Sequence, residues 1–178
     1  MPTYVALLRG VNVGGNLLKM QRLVALCEKL RFTSPRTYVQ SGNVVFQTPQ
    51  ATSSCKAALE DVLANETRLP VTVIIRTAAE LQKLVRDNPY LKERGIDPSK
   101  LHLTFLERTP AKEALYTLAA FRAGMDRAQP FGAHIYVHCP NGYGRTKLSN
   151  NALEKILSVR ATTRNWNTVN KLCELAAS

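Results

Sequence analysis

The chain has 178 residues, 45% of them hydrophobic and 21% charged, and a formal net charge of +11 at pH 7. These proportions are typical of a globular protein and exclude collagen-like, disordered and coiled-coil chains. No apolar run approaches the roughly 18 residues that a membrane-spanning helix needs, and the first residues lead into a strand pattern, not a leader peptide. We therefore expect a soluble cytoplasmic protein without a membrane partner.

The cysteine and histidine spacings argue against metal and redox chemistry. The four cysteines are Cys27, Cys55, Cys139 and Cys173. None of their spacings is that of a CxxC motif, so we expect reduced thiols. His134 and His138 share one face of a predicted strand with Tyr136, which makes that face polar or ligand-facing, but no third ligand lies nearby in sequence. We expect no metal site and no cofactor.

Hydrophobic periodicity predicts the order β-α-β-β-α-β in the first half of the chain. Alternating and continuous apolar runs indicate the strands, and Met20, Leu23 and Cys27 recur at helical spacing. The predicted elements are a strand at 3–9, a helix at 19–31, hairpin strands at 36–40 and 44–48, a helix around 55–62 and a strand at 71–76. Thr77 and Glu80 have the spacing of a capping box, so a connecting helix should run to about Asn88.

The same order returns in the second half. Thr109 and Pro110 have the types favoured at an N-cap and the first helical position. The predicted elements are a strand at 101–107, a helix from 109 to about 122, hairpin strands at 128–131 and 133–139, a helix from about 150, a short strand at 159–163 and a final helix through 169–176.

Together these patterns predict an α+β protein built from two tandem ferredoxin-like βαββαβ units, or α/β plaits, with antiparallel sheets and a C-terminal helix. The first unit with its connecting helix spans 1–88, the second with the terminal helix spans 101–178, and 89–100 is the expected linker within one compact structural domain. Each plait covers one sheet face with its own helices, so we expect the open faces to meet or to frame a groove.

The positive charge is concentrated at the two ends of the chain. Residues 1–48 hold six basic residues and one acidic residue, and residues 128–178 hold six and two. The same ends contain four polar loops rich in Gly or Asn, at 9–16, 40–43, 142–150 and 162–167. Backbone N–H groups at glycines, basic side chains, amides and helix N-termini are the groups that bind anions.

The loops therefore predict a site for a phosphate-bearing ligand. Its predicted residues are Arg9, Asn12, Gly14, Ser41, Asn43, Arg145, Lys147, Ser149, Asn150, Arg164 and Asn165. For any single loop a structural interpretation is simpler, since Gly and Asn are ordinary turn residues and Asn150 and Asn165 fit helix N-caps. Only the coincidence of all four loops with the charge excess favours a site.

Known catalytic and nucleotide motifs do not match. The glycines at 10, 14 and 15 lack the GxGxxG spacing, and residues 144–149 are not a P-loop. No carboxylate occurs from 1 to 27 or from 127 to 153, so the paired acids typical of metal-dependent or acid–base hydrolysis are missing there. An enzyme would need another base, such as His138 or His134 acting on Ser41 or Ser149.

Four segments resemble a known family. They are Leu7-Leu-Arg-Gly-Val-Asn-Val-Gly-Gly15, Tyr38-Val-Gln-Ser-Gly-Asn-Val-Val-Phe46, Lys147-Leu-Ser-Asn150 and Ala161-Thr-Thr-Arg-Asn-Trp-Asn-Thr-Val169. The chain resembles the bacterial domain-of-unknown-function family 1697 over essentially its whole length. The resemblance implies a duplicated α/β plait and implies no activity.

We favour a binding module over an enzyme. The expected partner is a phosphate-bearing small molecule, such as a nucleotide, or nucleic acid, held in a basic polar groove between the two units. Two alternatives stay open: an enzyme that uses Ser/His chemistry on a small phosphorylated or carboxylated metabolite, and a structural or interaction protein with no small ligand, whose charge is solvated surface. The sequence does not predict the oligomeric state.

Overall fold

The order β-α-β-β-α-β occurs twice in the computed structural model, which describes residues 1–12, 17–39 and 42–178. The first set consists of β1 (Thr3–Arg9), α1 (Met20–Lys29), β2 (Thr33–Thr37), β3 (Asn43–Gln47), α2 (Thr52–Thr67) and β4 (Thr72–Thr77). It is followed by α3 (Ala78–Arg86) and by two 3₁₀ turns, Pro89–Lys92 and Pro98–Lys100.

The second set has the same order and ends in an additional helix. It consists of β5 (Leu101–Leu106), α4 (Lys112–Ala120), β6 (Arg127–Phe131), β7 (His134–His138), a 3₁₀ turn (Tyr143–Arg145), α5 (Asn150–Leu157), β8 (Ala161–Asn165) and α6 (Trp166–Ala177). Within the described ranges, no helix is long and apolar enough to cross a membrane.

The strands form two four-stranded antiparallel sheets, with strand orders β2-β3-β1-β4 and β6-β7-β5-β8. This confirms the α+β class and the two antiparallel sheets predicted from the sequence. In each sheet the inner strands are the most apolar ones, because a strand with a neighbour on both sides buries its side chains most completely.

The core of the first unit lies between its sheet and helices α1 and α2. Tyr4, Ala6 and Leu8 of β1 point to this side, and Leu23 of α1 and Leu59 of α2 pack against them with no exposed surface. Strand alternation sends Val5 and Leu7 to the opposite face, where they are also fully buried. The continuous apolar run of β1 therefore reflects burial on both faces.

The core of the second unit is built in the same way. Leu106, Ile135 and Val137 of the sheet pack with Leu153 and Leu157 of α5 in one apolar cluster. The helix-facing side of β8 contributes Ala161 to this cluster but then becomes polar toward its end. That polar end is where the candidate site lies.

The chain divides into a unit of residues 1–85 with 170–178 and a unit of residues 86–169. Residues 89–100, expected to be a linker, contain both 3₁₀ turns and lie within the second unit. Tyr90 in the first turn is buried, and its ring lies 5.8 Å from that of His138. The last residues of α6 belong to the first unit, whereas the sequence grouped the whole helix with the second.

One predicted helix start is wrong. Thr109 was expected to cap α4 with Pro110 at the first helical position, but the N-cap is Ala111, which makes no side-chain cap hydrogen bond. The chain bends at Glu107 and Arg108 after β5, and the Glu107 backbone N–H donates to the carbonyl of Arg160. Ala111 is extended, at ψ 151°. The tertiary pairing at the end of β5 therefore overrides the local cap signal.

Candidate functional site

A chain of hydrogen bonds joins two of the predicted loops within the second unit. Thr163 Oγ1 in β8 donates to Asn150 Oδ1 at the start of α5 over 2.7 Å. Thr104 Oγ1 in β5 lies 2.7 Å from Thr163 Oγ1. Because Thr163 has one hydroxyl proton and gives it to Asn150, Thr104 is the donor to Thr163. The loops at 142–150 and 162–167 are therefore fixed to each other and to the centre of the sheet.

Two aromatic rings lie beside this chain. His102 of β5 and Tyr143 of the 3₁₀ turn are stacked, with ring centroids 4.6 Å apart and an interplanar angle of 26°. His102 is only 8% exposed, and among the described residues neither its Nδ1 nor Tyr143 Oη has a partner in good hydrogen-bond geometry. The Lys100 backbone lies close enough to His102, and Thr163 close enough to Tyr143, to oppose part of the effect of burial on their pKa values. Burial lowers the pKa of His102 and raises the pKa of Tyr143, so both rings are neutral at pH 7.

Both rings line a cleft of about 360 Å³ in the second unit. Its lining residues are Pro98, Ser99, Lys100, His102, Gly142, Tyr143, Asn165, Trp166 and Asn167. They include a lysine but no carboxylate. The cleft also holds the N-terminus of α6, where Asn165 Oδ1 accepts from the Thr168 backbone N–H over 2.8 Å and acts as the N-cap.

Strand alternation separates two adjacent predicted residues, Arg164 and Asn165. Asn165 pairs with His102 and faces the cleft, whereas Arg164 pairs with Leu103 and points to the other face of the sheet. Arg164 is 7% exposed, and its Nη1 donates to Thr162 Oγ1 over 2.6 Å. Burial lowers the pKa of Arg164 to about 10. The structure therefore does not bring Arg164 into the cleft.

Other predicted side chains of the second unit bind the protein's own backbone or side chains. Ser149, not Asn150, is the N-cap of α5, and its Oγ accepts from the Ala152 backbone N–H over 3.3 Å. Asn150 accepts from Thr163 as described above. Arg145, the last residue of the 3₁₀ turn, and Lys147, between that turn and α5, are both exposed. They are the predicted residues of this unit that present a charge at its surface.

The first unit also brings two predicted loops together. The Leu8 backbone N–H donates to the Gly42 carbonyl over 2.9 Å, and Gly42 lies directly against Val11. Asn12 Oδ1 accepts from the Leu18 backbone N–H over 2.7 Å, which closes the loop after β1.

Two further predicted residues of the first unit are partly or fully covered. Asn43 is fully buried at the start of β3, and its Nδ2 donates to the Tyr38 carbonyl over 3.4 Å. Arg9, the last residue of β1, is half-buried. Gly14 and Ser41 lie outside the described residues.

The predicted histidine face is present but largely covered. His134, Tyr136 and His138 share one face of β7, as the alternation predicted, and Tyr136 is only 1% exposed. The ring of His134 meets that of Phe105 edge-on, 5.8 Å away. In the part of the chain that the structure describes, Ser149 makes no hydrogen bond to a histidine, and no three His, Cys, Asp or Glu side chains are arranged to hold a metal ion.

Two lining residues of the cleft, Lys100 and His102, lie outside the predicted loops, whereas Asn167 lies in the predicted loop at 162–167. Lys100 was assigned to a linker and His102 to a strand, because each fits those elements. The signal that identifies them is the pairing of His102 with Asn165, which joins segments 63 residues apart. No local pattern encodes that pairing.

Comparison with known proteins establishes the family. A family model described as "Protein of unknown function (DUF1697)" matches residues 1–136. The chain belongs to this family. This confirms the resemblance seen in the sequence, whose first two motifs lie within the matched residues. No curated protein matches the chain.

A solved structure shares the fold. The conserved bacterial protein SP0830 from Streptococcus pneumoniae aligns with a TM-score of 0.77 and 19% sequence identity, over 100% of this chain and 99% of that chain. At this identity the similarity shows a common fold and nothing about a common ligand.

Proposed function

We propose that this protein is a binding module that holds a phosphate-bearing ligand in the cleft at the N-terminus of α6. The observation that carries the proposal is the composition of this cleft: it has a lysine, two asparagines and a helix N-terminus in its lining, and no carboxylate. Its volume of about 360 Å³ is in the range of small-molecule sites, so we favour a nucleotide or a similar small ligand over a long nucleic acid.

The physical basis is local electrostatics. The N-terminus of a helix carries roughly half a positive elementary charge and several unpaired N–H groups. α6 is 12 residues long, so its dipole is fully developed. Lys100 adds a full charge, and Arg145 and Lys147 lie exposed on a loop whose first residues, Gly142 and Tyr143, line the cleft. A phosphate there would meet positive potential without a carboxylate in the lining.

The buried ring of His102 is a second, independent indication. A buried polar atom without a partner costs about 1–3 kcal/mol, so proteins seldom retain one without a use for it. His102 Nδ1, at the wall of the cleft, has no partner in good hydrogen-bond geometry among the described residues, and the Lys100 backbone is the one group that favours its charged form. We infer that the His102–Tyr143 pair holds the cleft open in the free protein and supplies polar groups when a ligand or water enters.

We also assign the ferredoxin-like topology to each unit. The order β2-β3-β1-β4 places the first and third strands in the centre of the sheet and the second and fourth at its edges, and β6-β7-β5-β8 repeats this order. With two helices between the strands of each unit, this arrangement supports a duplicated α/β plait.

Titration of the full chain with inorganic phosphate and with adenosine monophosphate, at low and high salt, tests the function. We expect binding that weakens as salt increases. Asn167→Asp places a negative charge at the cleft without changing the side chain's size and should weaken binding about tenfold, or about 1.4 kcal/mol. The same change improves the α6 dipole, so lost binding would not reflect lost stability.

A site variant and a matched control variant locate the binding in the cleft. Lys100→Ala should weaken binding about as much as Asn167→Asp, whereas Lys155→Ala, at an exposed position in the last turn of α5, should not. If neither ligand binds at low salt, or if Lys155→Ala and Lys100→Ala weaken binding equally, the proposal is wrong. Binding of a single-stranded oligonucleotide but not of the mononucleotide would also overturn the small-ligand assignment.

A further inference from the structure

A second cleft of the second unit lies between helix α4 and edge strand β6, and its volume is about 490 Å³. Its lining is mainly apolar. The apolar side chains that matter here are Leu115, Leu118, Ala119, Phe121, Pro130 and Leu148. It shares no residue with the cleft at the N-terminus of α6.

Small side chains explain why this space is not filled. Ala128 and Pro130 of β6 pair with Val137 and Ile135, so they point to the helix side of the sheet. Ala119 faces the same space from α4. Protein interiors are normally packed to crystal density, and here three small side chains leave the layer between helix and sheet open.

Two of the three charged residues in the lining of this cleft, Glu93 and Arg127, neutralise each other. Glu93 and Arg127 form a two-pronged ion pair, with N–O distances of 3.0 and 2.7 Å. The Arg127 guanidinium also lies 4.8 Å from the centroid of the Tyr90 ring. The pair lowers the pKa of Glu93 and raises that of Arg127, so the two charges compensate each other.

Asp126 is the remaining charged residue of the lining. Within the described residues its carboxylate forms no ion pair. It lies near the fully buried Cys139, whose thiol pKa is raised mainly by burial and further by Asp126. Asp126 is itself half-buried in the lining of the cleft.

One exposed apolar side chain lies in the wall of this cleft. Phe121 is 37% exposed and is part of the lining. Phe131 is 43% exposed but points to the other face of the sheet, where its ring lies 6.3 Å from that of Tyr136. An exposed apolar residue at the wall of a concave surface is typical of a ligand site.

We propose that this cleft binds a small molecule with an apolar body and a single protonated amine. The apolar body fills the space between Leu115, Leu118 and Pro130. The amine pairs with the Asp126 carboxylate, because the charge of Glu93 is already neutralised by Arg127. The net charge of +11 would by itself favour anions, so the choice of a cation rests on this local carboxylate.

The test uses hexylamine, hexan-1-ol and hexanoate, which have the same chain length and different head groups. Binding to the full chain is followed by backbone amide chemical shifts at pH 7, where hexylamine is protonated. We expect hexylamine to give saturable shifts in residues 115–130, with an affinity about fivefold higher than that of hexan-1-ol, and hexanoate to bind most weakly. Asp126→Asn should remove the preference for hexylamine over hexan-1-ol.

Matched variants locate the binding. Ala119→Trp fills the cleft and should abolish the shifts, whereas Ala120→Trp, at the adjacent exposed position outside the lining, should retain them. Asn167→Asp should leave hexylamine binding unchanged, so the test does not depend on the phosphate site.

Three outcomes of the titrations overturn the proposal: no saturable chemical-shift changes, equal binding of the three probes, or equal effects of the two tryptophan variants on binding. The proposal would also be overturned if the protein were a dimer that Ala119→Trp disrupts and Ala120→Trp leaves intact. A second copy of the chain would then occupy the cleft.

Discussion

Gly42 shows how one residue fixes the meeting of two loops. Its φ is +75°, a conformation that an L side chain adopts only with strain. A Cβ at this position would also lie 2.7 Å from Val11 Cγ2 and 3.2 Å from Leu8 Cβ. The glycine therefore allows the turn before β3 to contact the end of β1 more closely than any other residue would.

Gly42→Ala should lower the free energy of unfolding by about 2–3 kcal/mol, as the sum of backbone strain and overpacking. Gly95→Ala is the matched control, because Gly95 has a φ of +76° and nothing within 4 Å of an added Cβ. We expect that variant to lose about 1 kcal/mol of unfolding free energy, from backbone strain alone. Urea unfolding of both variants measures the difference. Equal losses of unfolding free energy would contradict the close approach of residue 42 to Val11 and Leu8.

The predicted ligand residues show a related effect at the residue scale. Short polar side chains readily bind nearby backbone groups, and Asn12, Asn43, Ser149 and Asn165 do so here. Each of these side chains therefore has a structural role, and its role in binding a ligand stays a prediction. Arg145 and Lys147 are exposed instead, and their role stays a prediction.

At the scale of elements, two similar sequence signals have opposite outcomes. Thr77 and Glu80 form the predicted capping box at α3: the Thr77 N–H donates to Glu80 Oε2 over 2.7 Å, and the Glu80 N–H donates to Thr77 Oγ1 over 3.1 Å. Thr109 carries the second signal and does not cap α4. In the capping box each side chain accepts from the other residue's backbone N–H within one turn, so it depends on no distant segment of the chain.

Thr77→Ala should therefore cost about 1 kcal/mol of stability, the typical value for loss of an N-cap side chain. Thr109→Ala is the same substitution at the predicted N-cap that does not cap α4, and it should change the free energy of unfolding by less than about 0.5 kcal/mol. Thermal or urea unfolding of the two variants provides the comparison. A loss at Thr109 as large as that at Thr77 would show that Thr109 caps a helix after all.

At the scale of the whole molecule, the first unit contains residues from both ends of the described chain. Arg36 in β2 donates from Nη2 to the Leu175 carbonyl over 2.6 Å and from Nη1 to Ser178 Oγ over 2.7 Å. These bonds bridge 139 and 142 residues of sequence. A guanidinium at the C-terminal end of α6 also interacts favourably with the negative end of the helix dipole.

Arg36→Met should remove both bonds while keeping much of the apolar stem. We expect amide hydrogen exchange in residues 173–177 to become about fivefold faster, equivalent to about 1 kcal/mol, because the last turn of α6 would open more often. Arg31→Met, at an exposed position after α1, is the control and should leave that exchange unchanged. Unchanged exchange in Arg36→Met would mean that other contacts hold the helix end.

The sequence by itself determined the elements, their order and the two antiparallel sheets. Apolar residues at helical or strand spacing are local signals, and they locate β1, the β6–β7 hairpin and α3 to within a few residues. The sequence also places two polar loops in each unit, and the structure brings each pair together.

The tertiary structure alone decided which side chains face the candidate cleft. The register of β5 against β8 sets His102 opposite Asn165 and turns Arg164 to the other face. The cleft also includes Lys100, which lies outside every pattern in the sequence that indicates binding. The physical reason is that strand register depends on packing and hydrogen bonding between distant segments, and a shift of one residue would exchange the two faces.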